Sequence, residues 1–485
     1  MRTGIIAAAG SGKTTTIVKH ITGLVNDGVD PEAICCFTFT VAAAKELKLR
    51  LGEIADAMYV GTFHSIASSF LPARTVLDEH GVAVIAKHLL GDKIGRKVAK
   101  EFTTAKSLSE RPAVLNAYFL QYNLIDYYGL LLSFLATLQS GTHPLLQCKH
   151  ILVDEAQDTD WLQWAIVDEL CRNADGLFVG DPRQSIYQWR GARYEDFISR
   201  CDNKQYLSSS YRFCQQVADV SDHVVNTVFN DLPSTTGLGQ GSGAEVHDSL
   251  SSALQCAHAE FWTPGEVGVL CRKNEQIPLA EEAVASVGWS CLNQTAASSS
   301  LGNLLPLMQF LANPNEATAI TALDDRWARR CQPYEFVHHL SNKNYTAAAY
   351  SARAFMDYVS VNATVKAVFT ALGIGHTYPS ASVWLTKYGH WTVQAAVADC
   401  SYDRNVDRQS NHVTVSTIHG AKGLEYPLTI LWLDDDPAPN SEDYRVAYVG
   451  LTRCKDKCMV VRCDNPIFTK IEECIQKKAQ PSLNF

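Results

Sequence analysis

Three short stretches hold residue types suited to phosphate chemistry. In "AAAGSGKT" (7–14), Gly10 and Gly12 let backbone amides approach phosphate oxygens, and a following helix N-terminus would add its dipole. Lys13 would reach the β- and γ-phosphates and the Thr14 hydroxyl would hold Mg²⁺, with Ala9, Ser11 and Thr15 completing the nucleotide cradle. The strict pattern opens on Gly, where this chain has Ala7. In "ILVDEAQD", Asp154 at a strand end can hold a metal and Glu155 can orient or deprotonate an attacking water. Two acids after an apolar strand are costly unless something positive binds there, whereas Asp158 alone could be a helix cap. The third stretch, "FVGDPRQSIYQWRGA" (178–192), sets the flat side chains of Tyr187 and Trp189 among Arg183, Gln184, Gln188, Arg190 and Arg193. Buried aromatics usually lie among aliphatics, so these two are either core residues or a platform for something flat.

The elements that must position these residues alternate. "TGIIAAAGSGKTTTIVKHITGLVNDG" reads as strand, Gly-rich loop and helix, with Ile17, Ile21, Leu24 and Val25 on one face. "AICCFTFT", "YVGTFHSIASSF", "HILVDEAQDTD" and "GLFVGD" each read as a strand with its exit loop. Strands alternating with helices predict a parallel sheet covered on both faces, with chemistry at the carboxyl ends of the strands. Residues 76–145 and 316–405 read as helical blocks inserted into two such α/β cores. The expected division is therefore 1–75 and 146–205 for the first core, and 206–315 and 406–485 for the second. "HVTVSTIHGAKGLEYPLTILWL" (412–433) reads as strand-like, "PSTTGLGQGSG" (233–243) as the most flexible loop, and "NQTAASSS" (293–300) as a Ser-rich loop.

Bulk properties bound the function. A chain of 485 residues predicts roughly two to four domains. With 46% apolar and 19% charged residues it reads as globular. A net charge of −9 argues against blanket coating of nucleic acid. The five Lys/Arg of "KHLLGDKIGRKVAKEF" (87–102) could be a phosphate contact or a solvated helix face. The longest apolar run, 127–138, is too short for a bilayer and predicts a buried helix. Met1 leads directly into strand residues, so an intracellular protein without a secretory leader or membrane contact is expected. Fifteen scattered cysteines then read as reduced thiols. Cys454, Cys458, Cys463 and Cys474 bunch, but without a C-x-x-C pair a metal cluster is the lesser reading.

Taken with "CFTFTVAAAKEL", "VGTFHSIA", "LSSSYRF", "VTVSTIHGAKGLEY" and "YRVAYVGLTRC", these stretches resemble, in order, the signature motifs of the UvrD/Rep family of superfamily 1 DNA helicases. The resemblance implies two RecA-like P-loop NTPase cores, each with a helical insertion, ATP and Mg²⁺ as cofactors, and 3′→5′ movement on single-stranded DNA. Single-stranded DNA and its junctions with duplex would be the substrate, replication or repair proteins the partners, and the monomer the active form. It further implies that Gln184 senses the γ-phosphate, that Arg212 and Arg453 present charge to it, that Tyr211 stacks on adenine and that Glu425 holds the ribose. Tyr187 and Trp189 become the platform for DNA bases, with Phe39 a second stacking ring or an ordinary strand residue. Thr62, Phe63, His64 and His419 fall where the family contacts DNA, and Lys422 is either a surface lysine or a phosphate contact.

The chain also departs from the family. No glutamine segment precedes the phosphate loop, Thr15 stands where Arg is usual, and Val41-Ala42 replace Asn-Lys. Relaxed adenine selectivity resting on Tyr211 is expected, and the second insertion of about 90 residues predicts a compact motor with weak autoinhibition. Two rivals share the motifs: a translocase that displaces proteins with little unwinding, and a non-catalytic DNA-binding or partner-recruiting protein.

Overall fold

The computed structural model describes residues 1–293, 304–322, 345–359, 363–372, 388–402 and 412–479, with a few isolated positions between them. Two six-stranded sheets organise it, and every strand pairing in both is parallel. The first runs in the order Tyr59–Thr62, Ile34–Thr38, His150–Val153, Asp175–Gly180, Arg2–Ala7, Asn203–Leu207. Its inner strands carry continuous apolar runs because helices cover both faces; all five residues of Ile34–Thr38 are buried. Every candidate stretch of the first half leaves the carboxyl end of one of these strands: the phosphate loop after Ala7, Phe39 after Thr38, the acids after Val153 and Asp181 after Gly180.

The second sheet runs Gly243–His247, Cys454–Val461, Tyr426–Trp432, Val267–Cys271, Val413–Thr417, Cys291–Asn293. The strand-like stretch 412–433 is thus two strands. Residues 418–423 between them turn back, with Gly423 at φ +81°, and carry His419 and Lys422 to the strand ends.

The first helical block contains Glu79–Leu90, Asp92–Thr104, Ala113–Gln121 and Tyr127–Gln139. The apolar run expected to form a buried helix does so: Leu130, Leu131, Leu132, Phe134 and Leu138 all point inward from Tyr127–Gln139. The basic patch spreads over two helices, with Lys87 and Arg96 sharing Asp92 and Lys97 pairing with Glu101, so five cations face two acids. Lys93, Arg96, Lys97 and Lys100 are exposed. The second block contributes Glu316–Ala322, Tyr345–Val359, Val365–Leu372 and Val393–Tyr402. Of the Ser-rich loop, all but Asn293 lies outside the described residues.

The loop 233–243 is less free than its composition predicts. Thr236–Gly237 pairs with Ser209–Ser210, Thr235 gives its N–H and hydroxyl to the buried Asp222, and a Cβ on Gly239 would stand 2.6 Å from the Phe213 nitrogen. Glycine is used there for close backbone approach, not for flexibility. Among the described residues, no helix is long and apolar enough to cross a membrane.

Candidate nucleotide and nucleic-acid site

The phosphate loop is held in a shape that requires glycine twice. Gly10 sits at φ +72° and Gly12 at φ +83°. A Cβ on Gly10 would also lie 2.5 Å from Arg212 Cβ and 2.6 Å from Ser210 Oγ. Gly12 caps helix Lys13–Asn26, and the N–H groups of Gly10, Gly12, Lys13 and Thr14 make no hydrogen bond among the described residues. Such amides at a helix start form an anion site. The buried Ser11 Oγ is also without a partner, while Lys13 Nζ lies 3.9 Å from Glu155 Oε1. Ala9 is fully buried and donates its N–H to the Tyr448 hydroxyl at 3.3 Å. Thr15 is exposed and its hydroxyl accepts from Arg50 at 3.2 Å, tying it to the neighbouring helix Val41–Leu51.

The two acids diverge in charge. Burial and the neighbouring Glu155 push Asp154 up to about 7. Burial acts to raise Glu155 too, but the ammonium groups of Lys13 and Lys422 outweigh it and hold that carboxyl down to about 2. Glu155 adopts the left-handed backbone, φ 52°, uncommon for a residue with a Cβ, and Gln157 Nε2 donates to its Oε2 at 2.7 Å. Asp154 and Thr14 offer a carboxylate and a hydroxyl, hard-oxygen donors, and the buried Asp154 feels the charge of Lys13, which precedes Thr14, so the pair fits Mg²⁺ on that chemistry.

The loop after Asp181 is the joint of the molecule. Asp181 is fully buried and accepts from Gln184 Nε2 at 2.7 Å, while Gln184 Oε1 accepts from Arg453 Nη2 at 2.9 Å. Burial and the nearby Arg212 lower Arg453 to about 10. Arg212 pairs with Glu425 and donates to the Thr452 carbonyl at 2.8 Å, leaving its Nε without a partner. Glu425 also meets Lys455 at 3.2 Å, so both carboxylate oxygens are engaged by cations. Tyr211 is 69% exposed beside the phosphate loop, its N–H bonded to the Gly10 carbonyl.

The aromatic residues sort into two groups. Phe39 and Tyr187 stack at 5.2 Å and 21°, His419 lies 6.3 Å from Tyr187, and the Tyr187 hydroxyl donates to the His419 carbonyl at 3.5 Å. Trp189 is 72% exposed with the Arg190 guanidinium 5.7 Å from its ring, so the core reading of Trp189 is excluded. His64 meets Tyr127 edge-on at 5.3 Å; burial and the charge of Arg190 lower it to about 4, so it is neutral at pH 7.

Two of the residues expected to contact DNA are buried here. The Phe63 ring is only 4% exposed and stacks on Phe37 at 4.3 Å and 11°, which makes it a core ring. The buried Thr62 hydroxyl caps helix Phe63–Phe70 by accepting from Ser65 N–H at 3.1 Å. Both are consumed by the strand-to-helix turn itself.

Lys422 is neither a surface lysine nor an open phosphate contact. It is buried, bonded to Asp158 and to the Gln184 carbonyl, both at 2.5 Å, with its ammonium 4.8 Å over the Tyr187 ring. Sequence reasoning also passed over Arg445 and Tyr448. Arg445 Nε donates to the Ser185 carbonyl at 2.6 Å, and the Tyr448 hydroxyl reaches Asp181 at 3.4 Å. Their i,i+3 spacing on helix Ser441–Leu451, which puts both on one face, was the available signal.

Elsewhere Glu245, His247 and Cys256 lie close enough to share a metal, but the Lys457 ammonium already sits 3.0 Å from Glu245 and 2.5 Å from Glu260. No group of metal-ligating side chains among the described residues includes Cys454, Cys458, Cys463 or Cys474.

Comparison with known proteins places these features. The AAA domain family model matches residues 2–190, and the UvrD-like helicase C-terminal domain model matches residues 395–465. The chain is 24% identical to a probable DNA helicase II homolog of Mycoplasma genitalium, over 93% of this chain and 81% of that protein. It is 23% identical to the ATP-dependent DNA helicase PcrA of Leuconostoc citreum, over 93% and 79%. Against the PcrA of Bacillus subtilis the identity is 22%, over the same shares of the two chains. With one model on each sheet and relatives matched along nearly the whole length, the chain belongs to the UvrD/Rep-like superfamily 1 helicases.

Proposed function

We propose that this protein is an ATP-driven motor on single-stranded DNA that unwinds duplex with 3′→5′ polarity. The observation that carries the reading is the loop 181–190. Gln184, bonded to Arg453 and Asp181, lies three residues before Tyr187, which stacks on Phe39. One rigid loop therefore touches a cluster suited to the γ-phosphate and a cluster suited to a nucleobase. The names of the relatives, all ATP-dependent or probable DNA helicases, support the same reading.

In this mechanism the amides of Gly10 to Thr14 and Lys13 receive the phosphates, with Tyr211 against the base. Mg²⁺ held by Thr14 and Asp154 would neutralise charge on the β- and γ-oxygens. Glu155, already ionised, takes the proton of the attacking water, and Arg212 and Arg453 stabilise charge as it develops. Arg212 must exchange its Glu425 partner for the nucleotide, which frees Glu425 for the ribose. Movement of the second sheet as Arg212 and Arg453 engage then shifts Tyr187 and Trp189 along the strand, each base face contributing about 1–3 kcal/mol.

The test is unwinding of one duplex bearing either a 3′ or a 5′ single-stranded tail, with Lys13→Ala as control. ATP-dependent unwinding from the 3′ tail alone is expected. Unwinding only from the 5′ tail would overturn the polarity. DNA-stimulated hydrolysis without unwinding would favour a translocase that displaces proteins.

A further inference from the structure

We propose that Lys422 is the positioning residue through which the aromatic cluster is coupled to the hydrolysis site. This rests on the motor reading above. Three observations meet at its ammonium. It bonds Asp158, whose Oδ2 shares Gln157 Nε2 with Glu155, the candidate base. It bonds the backbone carbonyl of Gln184, whose side chain holds Arg453. It also lies over the face of Tyr187, the ring that stacks on Phe39. A buried ammonium is strongly directional in its demands, since each of its three hydrogens needs an acceptor or an aromatic face. Any displacement of Tyr187 by a base must therefore shift Lys422, and with it the hydrogen bonds that orient Glu155 and Gln184.

The placement is also specific in chain terms. Lys422 is on the turn 418–423 of the second sheet, while Asp158, Gln184 and Tyr187 all belong to the first half. It thus reports the relative position of the two sheets as well as the state of the ring. His419, on the same turn, receives the Tyr187 hydroxyl through its carbonyl, so the turn grips that ring at its face and at its edge.

The experiment compares wild type, Lys422→Met and the charge-balanced double variant Lys422→Met with Asp158→Asn. ATP hydrolysis is measured with and without an oligo-dT strand, together with KM for ATP, affinity for the same strand and thermal unfolding. The proposal expects the stimulation by DNA to fall about tenfold in both variants, as for coupling carried through a packed network. KM for ATP and affinity for the strand should stay within about threefold of wild type, since neither ligand is touched by the ammonium. A merely structural ion pair behaves differently: the double variant leaves no charge uncompensated and would regain wild-type stimulation. That result overturns the proposal, as does undiminished stimulation in Lys422→Met. If Lys422→Met does not fold, the double variant alone decides. A wild-type protein that hydrolyses ATP with no response to DNA would instead refute the motor reading, and the coupling with it.

Discussion

Replacing Trp189 and Phe63 by alanine, one at a time, separates two aromatic residues that sequence patterns place in the same DNA-contacting set. Trp189 is 72% exposed, so little more than a quarter of it is covered. A tryptophan offers up to about 250 Å² for burial, so its removal uncovers about 70 Å², at most about 2 kcal/mol of stability. Phe63 is 4% exposed and stacked on Phe37 at 4.3 Å, and emptying such a position costs about 3–5 kcal/mol. The binding effects should be reversed. Loss of a stacking platform costs about 1–3 kcal/mol, or about 5- to 150-fold in affinity for a single strand. Fluorescence anisotropy of a labelled oligo-dT at fixed salt gives the second quantity, and thermal and urea unfolding the first. Trp189→Ala should lose affinity with a midpoint shift smaller than that of Phe63→Ala; Phe63→Ala should lose its midpoint and, where folded, keep its affinity. Unchanged affinity in Trp189→Ala, or an unfolding midpoint lowered as far as in Phe63→Ala, would refute the assignment.

Three further outcomes are expected. Gly10→Ala should weaken binding of a fluorescent ATP analogue far more than Gly12→Ala. The added Cβ meets Arg212 at 2.5 Å in the first case and nothing nearer than Thr15 Cβ at 3.8 Å in the second, where only the backbone cost of about 1–2 kcal/mol remains. Equal losses would contradict the tight packing of the loop. Burial and Arg190 hold His64 near 4 in the folded protein, whereas an unfolded histidine titrates near its ordinary 6.5. Between those values the unfolded chain binds the extra proton, so this contribution to stability is complete above about pH 6.5 and is lost as the pH falls toward 4. His64→Gln should therefore lose less of its urea midpoint than wild type between pH 7 and pH 5, and parallel curves would exclude the effect. Arg111 and Asp126 form a fully buried pair at 2.5 Å, with the guanidinium 3.6 Å over Phe102. Arg111→Met strands the carboxylate and should cost about 3–5 kcal/mol in urea unfolding, while a loss below 1 kcal/mol would show that Asp126 finds another partner or takes up a proton.

What could be read from the chain followed the range of the interactions involved. The phosphate loop and the strand before Asp154 were legible because their chemistry lies within eight consecutive residues, and the parallel sheets because strand and helix periods alternate visibly. The two ion pairs within the patch 87–102 were legible too, since Asp92 with Arg96 and Lys97 with Glu101 stand at i,i+4. Phe37, Phe39 and Phe63 were not separable. Their fates depend on the register that sets Phe37 opposite Gly61 and Thr38 opposite Thr62, which leaves Phe63 over Phe37 and sends Phe39 out to Tyr187. Lys422 was beyond reach for a stronger reason: its partner Asp158 is 264 residues away, and nothing local distinguishes it from a solvated lysine.

The same range argument explains why the nucleotide cluster is built from both halves. Arg453 is buried beside Arg212 and its pKa is lowered, an arrangement that costs free energy as it stands. Arg212 keeps one donor without an acceptor, Ser11 Oγ is likewise orphaned, and the amides from Gly12 to Thr14 point no bond into the protein. Unpaired donors and two neighbouring guanidinium groups around Gly10 make a donor set that matches a polyanion, and a triphosphate would relieve the cost of holding them together. Because the donors come partly from the first sheet and partly from the segments around Arg212 and Arg453, that relief is available only when the two halves stand at one separation. Under the proposed function, binding and release of the anion would then move Arg453, the Gln184 that it holds and the Tyr187 three residues on as one body, and so turn a site for fuel into a grip on a strand.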